Sequence, residues 1–314
     1  MVINKNTFMD FDEYASNMMK WDLEFNQLTM GKFSGKICQL LLPNMIIQKY
    51  YINKSLKING TVPQGYYTFS IGIVTHNKAI WRNKLIKSNV IAVYPKSAEI
   101  EAVSPDDFST FELSISKKYL EKVAPYFNVE DIENYLEGDK HYKCDPQKLD
   151  QFKILLNGYL NKLELSKSHA FYLTKTIEEE VVSNLLKLLF SSSSEKQYYQ
   201  TIKRTLAVNV IDEVLSKEDI GSLSVLDLCK EANVSQRTLE YAFRQKYNIT
   251  PKQYLRIVRL NRVRKLLLDS YNSQTNISDI SNQYGFWHMG QFAKDYKNLF
   301  GELPSATITS KKTN

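Results

Sequence analysis

The sequence predicts an α+β protein: a small antiparallel β-domain with accompanying helices, followed by an all-α domain that carries two helix-turn-helix units. Three observations predict it. Short β-branched and aromatic runs, broken by turn residues, fill positions 36–116. Helical spacing of apolar residues takes over from position 117. Near the C-terminus one pattern is written twice, about 52 residues apart.

Within the first part, residues 1–35 are mixed, and the amphipathic stretch 8–21 predicts some helix. Strands are predicted at 37–42, 46–52, 66–74, 78–81, 90–94 and 108–115. Gly60, Gly65, Asn77, Pro95 and the turn Ser104-Pro105-Asp106 separate them. Short antiparallel strands at this spacing form a sandwich or a barrel. Helices are predicted at 117–123, 129–136, 146–163 and 174–190. The four serines at 191–194 are small, polar and flexible, which predicts the interdomain linker. A helix over 198–215 then leads into the second domain. The expected domains are 1–190, a linker at 191–197, and 198–314.

The repeat has a physical logic. In the first copy Val225, Leu226 and Leu228 supply the apolar face of one helix, and Cys229 is small where that helix passes close to its partner. Asn233 stands at the tight turn, because Asn tolerates left-handed backbone better than most residues. Ser235 caps the next helix, and Leu239 and Phe243 lie four apart on its buried stripe. In the second copy Ser281 is the small residue, Gly285 the turn, and Phe292 and Tyr296 the stripe, with one residue more between turn and stripe.

A helix pair of this kind sets its second helix into a DNA major groove. The exposed positions are Gln236, Arg237, Glu240, Tyr241 and Arg244 in the first copy, and His288, Met289, Gly290, Gln291 and Lys294 in the second. Arg pairs bidentately with guanine, Gln with adenine, and Glu accepts from cytosine; Met289 and the Tyr241 ring suit a thymine methyl. Two solvated surface helices are the plain alternative. Between the copies, positions 251–268 read as one helix with Arg256, Arg259, Arg262, Arg264 and Lys265 on its polar side. Such a helix is about 25 Å long and can hold two recognition helices about 34 Å apart, one turn of B-DNA. Phosphate contact is expected from its arginines, Arg259 in particular, with an ordinary solvated face as the alternative.

Charge follows the same division. Of the net +7, the part from Gln197 onward holds 17 Lys and Arg against 11 acidic residues; the preceding 196 residues hold 24 against 23. Basicity thus collects beside the repeat, as binding to phosphates requires. Cys38, Cys144 and Cys229 are widely spaced and form no CxxC, so neither a disulfide framework nor a structural zinc site is expected. His76, His141 and His169 are far apart, without HxH spacing. No nucleophile elbow, P-loop or dinucleotide fingerprint is present. Catalysis, a metal and a cofactor are therefore not expected. No signal peptide follows Met1, and the apolar stretches 37–47 and 185–190 are too short or too broken to span a bilayer. A cytoplasmic protein without a membrane partner is expected.

Residues 200–305 resemble the DNA-binding domain of the AraC/XylS family of bacterial transcription regulators. The matching residues are Leu228-Cys229, Val234-Ser235, Leu239, Phe243, Tyr254-Leu255 and Arg259-Leu260, then Ile280-Ser281, Gly285-Phe286, Phe292, Lys294, Tyr296-Lys297, Gly301 and Pro304. The stretch from Tyr284 to Phe292 is similar in particular to the ethanolamine-operon regulator branch. The resemblance implies a seven-helix domain, a site of roughly 20 base pairs, and control of transcription initiation, commonly as an activator that touches RNA polymerase. It places Arg237, Glu240 and Tyr241 on base-reading positions of the first recognition helix, and Met289, Gly290, Gln291 and Lys294 on those of the second. Two positions depart from the pattern. Gly290 has no side chain where many members carry a polar one, and Ser305-Ala306-Thr307 replaces the usual Tyr-Arg pair at the C-terminal cap.

In such relatives the N-terminal half is often a small cupin-like β-barrel that binds an effector or mediates dimerisation, and the same is expected over 1–190. Tyr50, Tyr51, Tyr66, Tyr67, Phe69, Trp81 and Tyr94 either line an effector cavity or fill a core. The stripe Ile177, Val181, Leu185, Leu188 and Leu189, with segment 151–163, either pairs two copies of the chain or packs within one. The expected function is a sequence-specific transcription regulator, an activator, with double-stranded DNA and RNA polymerase as partners and a small-molecule effector. The alternative keeps the DNA role and gives the N-terminal domain only a homodimer contact or a protein partner. A non-specific nucleoid protein is disfavoured by Glu240, since a carboxylate facing phosphates weakens binding unless it reads a base.

Overall fold

The computed structural model describes residues 2–72, 79–81, 84–86, 89–94, 99–138, 140–162, 170–191, 193–194, 203–216, 220–269 and 276–310. His76, Asn77, Pro95 and His169 lie outside the described residues, as does the side chain of Trp81. The chain divides into two compact units: residues 1–25, 34–53 and 58–198 form the first, and residues 26–33, 54–57 and 199–314 the second.

The first unit opens with strand β1 (Val2–Phe8), helix α1 (Phe11–Ser16) and β2 (Asp22–Gln27). Then follow β3 (Gly35–Leu41), β4 (Met45–Ile52), β5 (Leu56–Thr61), β6 (Tyr66–Gly72), β7 (Ala79–Trp81), β8 (Lys84–Ile86), β9 (Val90–Tyr94), β10 (Glu99–Val103) and β11 (Phe108–Ser116). Helix α2 (Lys117–Val123), a 3-10 turn (Ala124–Phe127), α3 (Ile132–Leu136), β12 (Lys140–Lys143), α4 (Pro146–Lys162), α5 (Ala170–Ser191) and β13 (Ser193–Ser194) complete it. The strands form an eight-stranded sheet in the order β1-β3-β4-β11-β6-β9-β12-β13 and a five-stranded sheet in the order β2-β5-β10-β7-β8. Among the described residues neither sheet closes on itself, so the expected barrel is an open antiparallel β-domain.

β1, β2, β5 and β10 were not expected from the sequence. They carry charged or amide residues at many positions, as in Val-Ile-Asn-Lys-Asn-Thr-Phe of β1, and lack the aliphatic density that marks a central strand. The expected helix at 129–136 is shortened for a local reason. Asn128 turns left-handed (φ 60°) to end the 3-10 turn, and Asp131 caps α3 by accepting from the Asn134 N–H at 2.9 Å.

Strand alternation divides the eight-stranded sheet into two faces. On one, Leu40, Ile47, Phe69, Val93 and Leu113 pack in a single cluster with Phe152 and Leu156 of α4 and with Ile177, Val181, Leu185, Leu188 and Leu189 of α5. The apolar stripe of α5 is therefore spent inside the chain and is not left for pairing with a second copy. Each such side chain contributes about 1.5–3 kcal/mol by leaving water. The serine run also differs from expectation. Ser193 and Ser194 pair with Lys143 and Tyr142 of β12, because a strand ladder is made by backbone groups and needs no particular side chain.

The second unit contains, among the described residues, seven helices: α6 (Lys203–Ser216), α7 (Val225–Glu231), α8 (Gln236–Tyr247), α9 (Pro251–Asp269), α10 (Ile277–Gln283), α11 (Met289–Phe300) and α12 (Pro304–Ser310). Two short segments from early in the chain belong to it, which the expected boundaries did not include. The Gln27 N–H donates to Asn261 Oδ1 and Asn261 Nδ2 donates to the Gln27 carbonyl, both at 3.0 Å. Gln27 Nε2 donates to the Leu299 carbonyl at 2.5 Å, and Lys57 reaches Asp212 at 2.7 Å. No helix among the described residues is long and apolar enough to cross a membrane.

Candidate DNA interface

The two copies of the repeat use the same backbone solution with different side chains. In the first, Ser224 and Asp227 form a reciprocal capping box at the start of α7, and Leu228 and Cys229 are buried. Asn233 adopts φ +50° at the turn, and the Val234 N–H returns to the Cys229 carbonyl at 3.1 Å. Ser235 caps α8 by accepting from the Thr238 N–H at 3.2 Å, and Leu239, Ala242, Phe243 and Tyr247 are buried. In the second copy Ile280 and Ser281 are buried, Gly285 adopts φ +80°, and the Phe286 N–H returns to the Ser281 carbonyl at 3.0 Å. Phe292, Tyr296, Leu299 and Phe300 bury one side of α11. Both recognition helices end on a left-handed residue, Asn248 and Gly301.

The second turn is the tighter one. A Cβ at Gly285 would lie 2.7 Å from the Gly221 carbonyl oxygen, and a Cβ at Gly221 would lie 2.1 Å from that of Gln283. Gly285→Ala is expected to destabilise the second unit by about 1–3 kcal/mol, through positive φ and this backbone clash together. Asn233→Val should act in the same direction through φ alone. Thermal melts of the purified variants check both, and an unchanged melting temperature for Gly285→Ala would refute the assignment.

The positions read from the sequence as base-reading lie on the outer sides of α8 and α11. Gln236, Arg237, Tyr241 and Arg244 are exposed and Glu240 is partly so; His288, Met289, Gly290, Gln291 and Lys294 are exposed. Gly290 has nothing within 4 Å of where a Cβ would stand, so packing does not require glycine there. Each helix carries a glutamine held by an acid four residues on. Gln236 Nε2 donates to Glu240 Oε1 at 2.9 Å, and Gln291 Nε2 to Asp295 Oδ1 at 2.8 Å. Asp295 is in turn paired with Arg256 of α9. Trp287, 72% exposed, stands just before α11 and lines a groove of about 790 Å³ with Val225, Leu255, Arg256, His288 and Gln291. Trp287 and Asp295 were not among the expected reading positions, although the Gln-to-acid spacing of four that marks Asp295 is visible in both copies.

The arginines of α9 do not form the free row expected of them. Arg259 donates to the carbonyls of Ile220 (3.0 Å), Gly221 (2.8 Å) and Leu223 (2.6 Å), and burial depresses its pKa. Arg262 donates to the Ser216 carbonyl at 3.0 Å, and Arg264, 4% exposed, lies over the Phe300 ring at 5.5 Å. Arg259 thus clamps the segment before α7, and its expected phosphate contact is not supported. The reason is that neighbouring helices surround α9, so its charged positions meet backbone carbonyls that a five-donor guanidinium satisfies well.

Asp212 of α6 is the electrostatic centre of the unit. It accepts from Lys57 (2.7 Å), Tyr254 (2.7 Å), Lys246 (3.0 Å) and Tyr247 (2.6 Å). Burial pushes its carboxyl up, but the pull of Lys57 and Lys246 and the hydrogen bonds outweigh this and hold it below the ordinary range. Tyr247 and Tyr254 stack at 4.3 Å beside it, which fixes α8 to α9. At the C-terminus Thr307 is fully buried, 2.7 Å from the Tyr296 hydroxyl, and donates to Glu302 at 2.6 Å. A hydroxyl thus serves the cap from which the usual Tyr-Arg pair is missing.

A model described as a helix-turn-helix domain matches residues 228–310. The chain is 31% identical over 173 residues to the XylDLEGF operon transcriptional activator of Pseudomonas putida, covering 53% of this chain and 50% of that protein. It is 32% identical over 135 residues to the XylDLEGF operon transcriptional activator 2 of the same organism, covering 42% of this chain and 82% of that protein. The chain spans about half the length of the curated relatives it matches first. Among solved structures, the AraC-like transcriptional activator CuxR is similar at 13% identity and a TM-score of 0.43, covering 89% of this chain and 100% of that one. With four-fifths of one relative matched at this identity and both helix-turn-helix copies intact, the chain belongs to the AraC/XylS family of transcription regulators.

Proposed function

We propose that the protein is a sequence-specific, non-enzymatic regulator of transcription initiation in the cytoplasm, acting as an activator. Helices α8 and α11 read two adjacent major-groove segments, and the N-terminal β-unit makes that reading responsive to a small-molecule effector. The observation that carries this reading is the duplicated recognition helix, with Arg237, Tyr241 and Arg244 exposed on one copy and Met289, Gln291 and Lys294 on the other. The relatives named as transcriptional activators support the activator reading, in which the bound regulator would contact RNA polymerase.

Selection of bound duplexes from a random library by the full-length protein tests it. Two short motifs about one helical turn apart should be enriched; absence of enrichment at physiological salt, with and without effector candidates, would sink the proposal. On the selected duplex, Arg237→Ala should weaken binding by about 1–3 kcal/mol and relax a single base position. An equal loss on every duplex would instead assign Arg237 to phosphate.

A further inference from the structure

The eight-stranded sheet buries a polar row. Gln39, Gln48, Glu112 and Ser70 are successive cross-strand partners on β3, β4, β11 and β6, so their side chains share one face. It is the face opposite the α4–α5 cluster, whose Leu40, Ile47, Leu113 and Phe69 take the alternate positions. Gln39, Gln48 and Glu112 are only 2%, 0% and 4% exposed. Aromatic rings accompany the row: Tyr14 stands edge-on to Tyr50 at 6.5 Å, and Trp21 edge-on to Tyr94 at 5.6 Å.

The hydrogen bonding of this row is incomplete. Ser70 and Tyr94 donate to Glu112 Oε1 at 2.8 and 3.1 Å, and the Tyr50 hydroxyl donates to Gln48 Oε1. Among the described residues, Glu112 Oε2, Gln48 Nε2 and Trp21 Nε1 are buried atoms without a hydrogen-bond partner. No lysine or arginine among them forms an ion pair with Glu112. Buried polar atoms are nearly always satisfied, so open ones on Glu112, on its cross-strand partner Gln48 and on Trp21, whose ring lies against Tyr94, need a cause. Burial pushes the Glu112 carboxyl up to about 8, against the pull of Ser70 and Tyr94.

From this geometry we propose that the sheet face around Glu112 binds a small protonated amine, whose ammonium group donates to Glu112 Oε2 beside the rings of Tyr14, Tyr50 and Tyr94. The inference rests on the reading of the N-terminal unit as effector-responsive, and names the chemical class of the effector. An ammonium donates to Glu112 Oε2, balances the carboxylate that forms as Glu112 gives up its proton, and is attracted by aromatic faces. An anion would add an uncompensated buried charge, and a neutral hydroxyl would leave Glu112 protonated, so neither would draw off its proton. The two open donors, Gln48 Nε2 and Trp21 Nε1, favour an acceptor atom elsewhere on the same molecule. Facing Glu112, the phenols of Tyr14, Tyr50 and Tyr94 are held above the ordinary range by burial and by Glu112 itself, and stay neutral at pH 7. His141 lies further along the same row, beyond Ala92.

The test uses the full-length chain with β-alaninamide hydrochloride as probe. Its neutral counterpart 3-hydroxypropanamide, in which a hydroxyl replaces the ammonium, and potassium chloride serve as controls. At ten times its Kd the amine should raise the melting temperature by about 3 °C, whereas the controls should leave it unchanged. Glu112→Gln should abolish the shift. Calorimetry at pH 7 in buffers of different ionisation enthalpy should show about one proton released per amine bound, as Glu112 ionises against the cation. This wild-type readout decides the matter even if the variant fails to fold. No shift, equal shifts from amine and neutral counterpart, a shift preserved in Glu112→Gln, or binding without proton release would each overturn the inference. Affinity for the selected duplex, measured on the same samples, separates the two readings. Specific DNA binding without an amine response overturns only this inference; an amine response without specific DNA binding overturns the regulator reading.

Discussion

Between about pH 5 and pH 8 the folded chain should lose stability that Glu112→Gln retains. The Glu112 carboxyl, pushed up to about 8 by burial, keeps its proton in the folded state over a range where the unfolded chain has already released it. The folded state therefore binds more protons than the unfolded state across this window, and stability falls as pH rises. Each pH unit in the window removes about 1.4 kcal/mol, and the total is on the order of 4 kcal/mol. Other carboxylates titrate as well, so the informative quantity is the difference between variant and wild type. That difference should be small near pH 5 and should favour the variant increasingly up to pH 8. Melting curves of both proteins at several pH values measure it; a difference that does not change with pH would show that Glu112 is ionised and solvated in the folded chain.

Asp212→Ala should destabilise the second unit by about 3–5 kcal/mol, because it leaves Lys57 and Lys246 buried without their carboxylate. The two lysine side chains are 12% and 8% exposed, so water cannot readily replace the lost partner. Denaturant titration measures the loss. A double-mutant cycle with Lys57→Met isolates the Lys57 contribution. A loss below about 1 kcal/mol would show that the pair behaves like a surface ion pair. Because the Asp212 carboxyl lies below its ordinary range, its contribution is present at neutral pH and disappears as pH falls through that lowered value. The network also fixes α8 through Tyr247, so milder variants such as Lys57→Met should weaken DNA binding evenly across sequences. Arg237→Ala should instead change the sequence preference.

The DNA-binding half was legible because its information is local. A small residue, a left-handed turn residue and a four-spaced stripe occur within about twenty residues of one another in each copy, and Cys229, Asn233, Leu239 and Phe243 stand where that spacing placed them. The α9 arginines misled for the opposite reason. An arginine satisfying backbone carbonyls and one facing phosphate have the same helical spacing, and only neighbours distant in sequence, such as Ile220 and Leu223 for Arg259, tell them apart.

The sequence by itself determined the repeat, its turns and caps, the central strands and the apolar stripe of α5, all of which are written in spacings of two or of three to four residues. Only the tertiary structure decided that the β-domain is open, that the stripe of α5 is used within the chain, and that Gln27 and Lys57 join the helical unit. It alone brought Gln39, Gln48, Glu112 and Ser70 into one row, although they come from four strands spread over more than 70 residues. Cross-strand register is set by which strands pair, and a glutamate in an alternating strand reads as solvent-facing until a second layer is known to cover it.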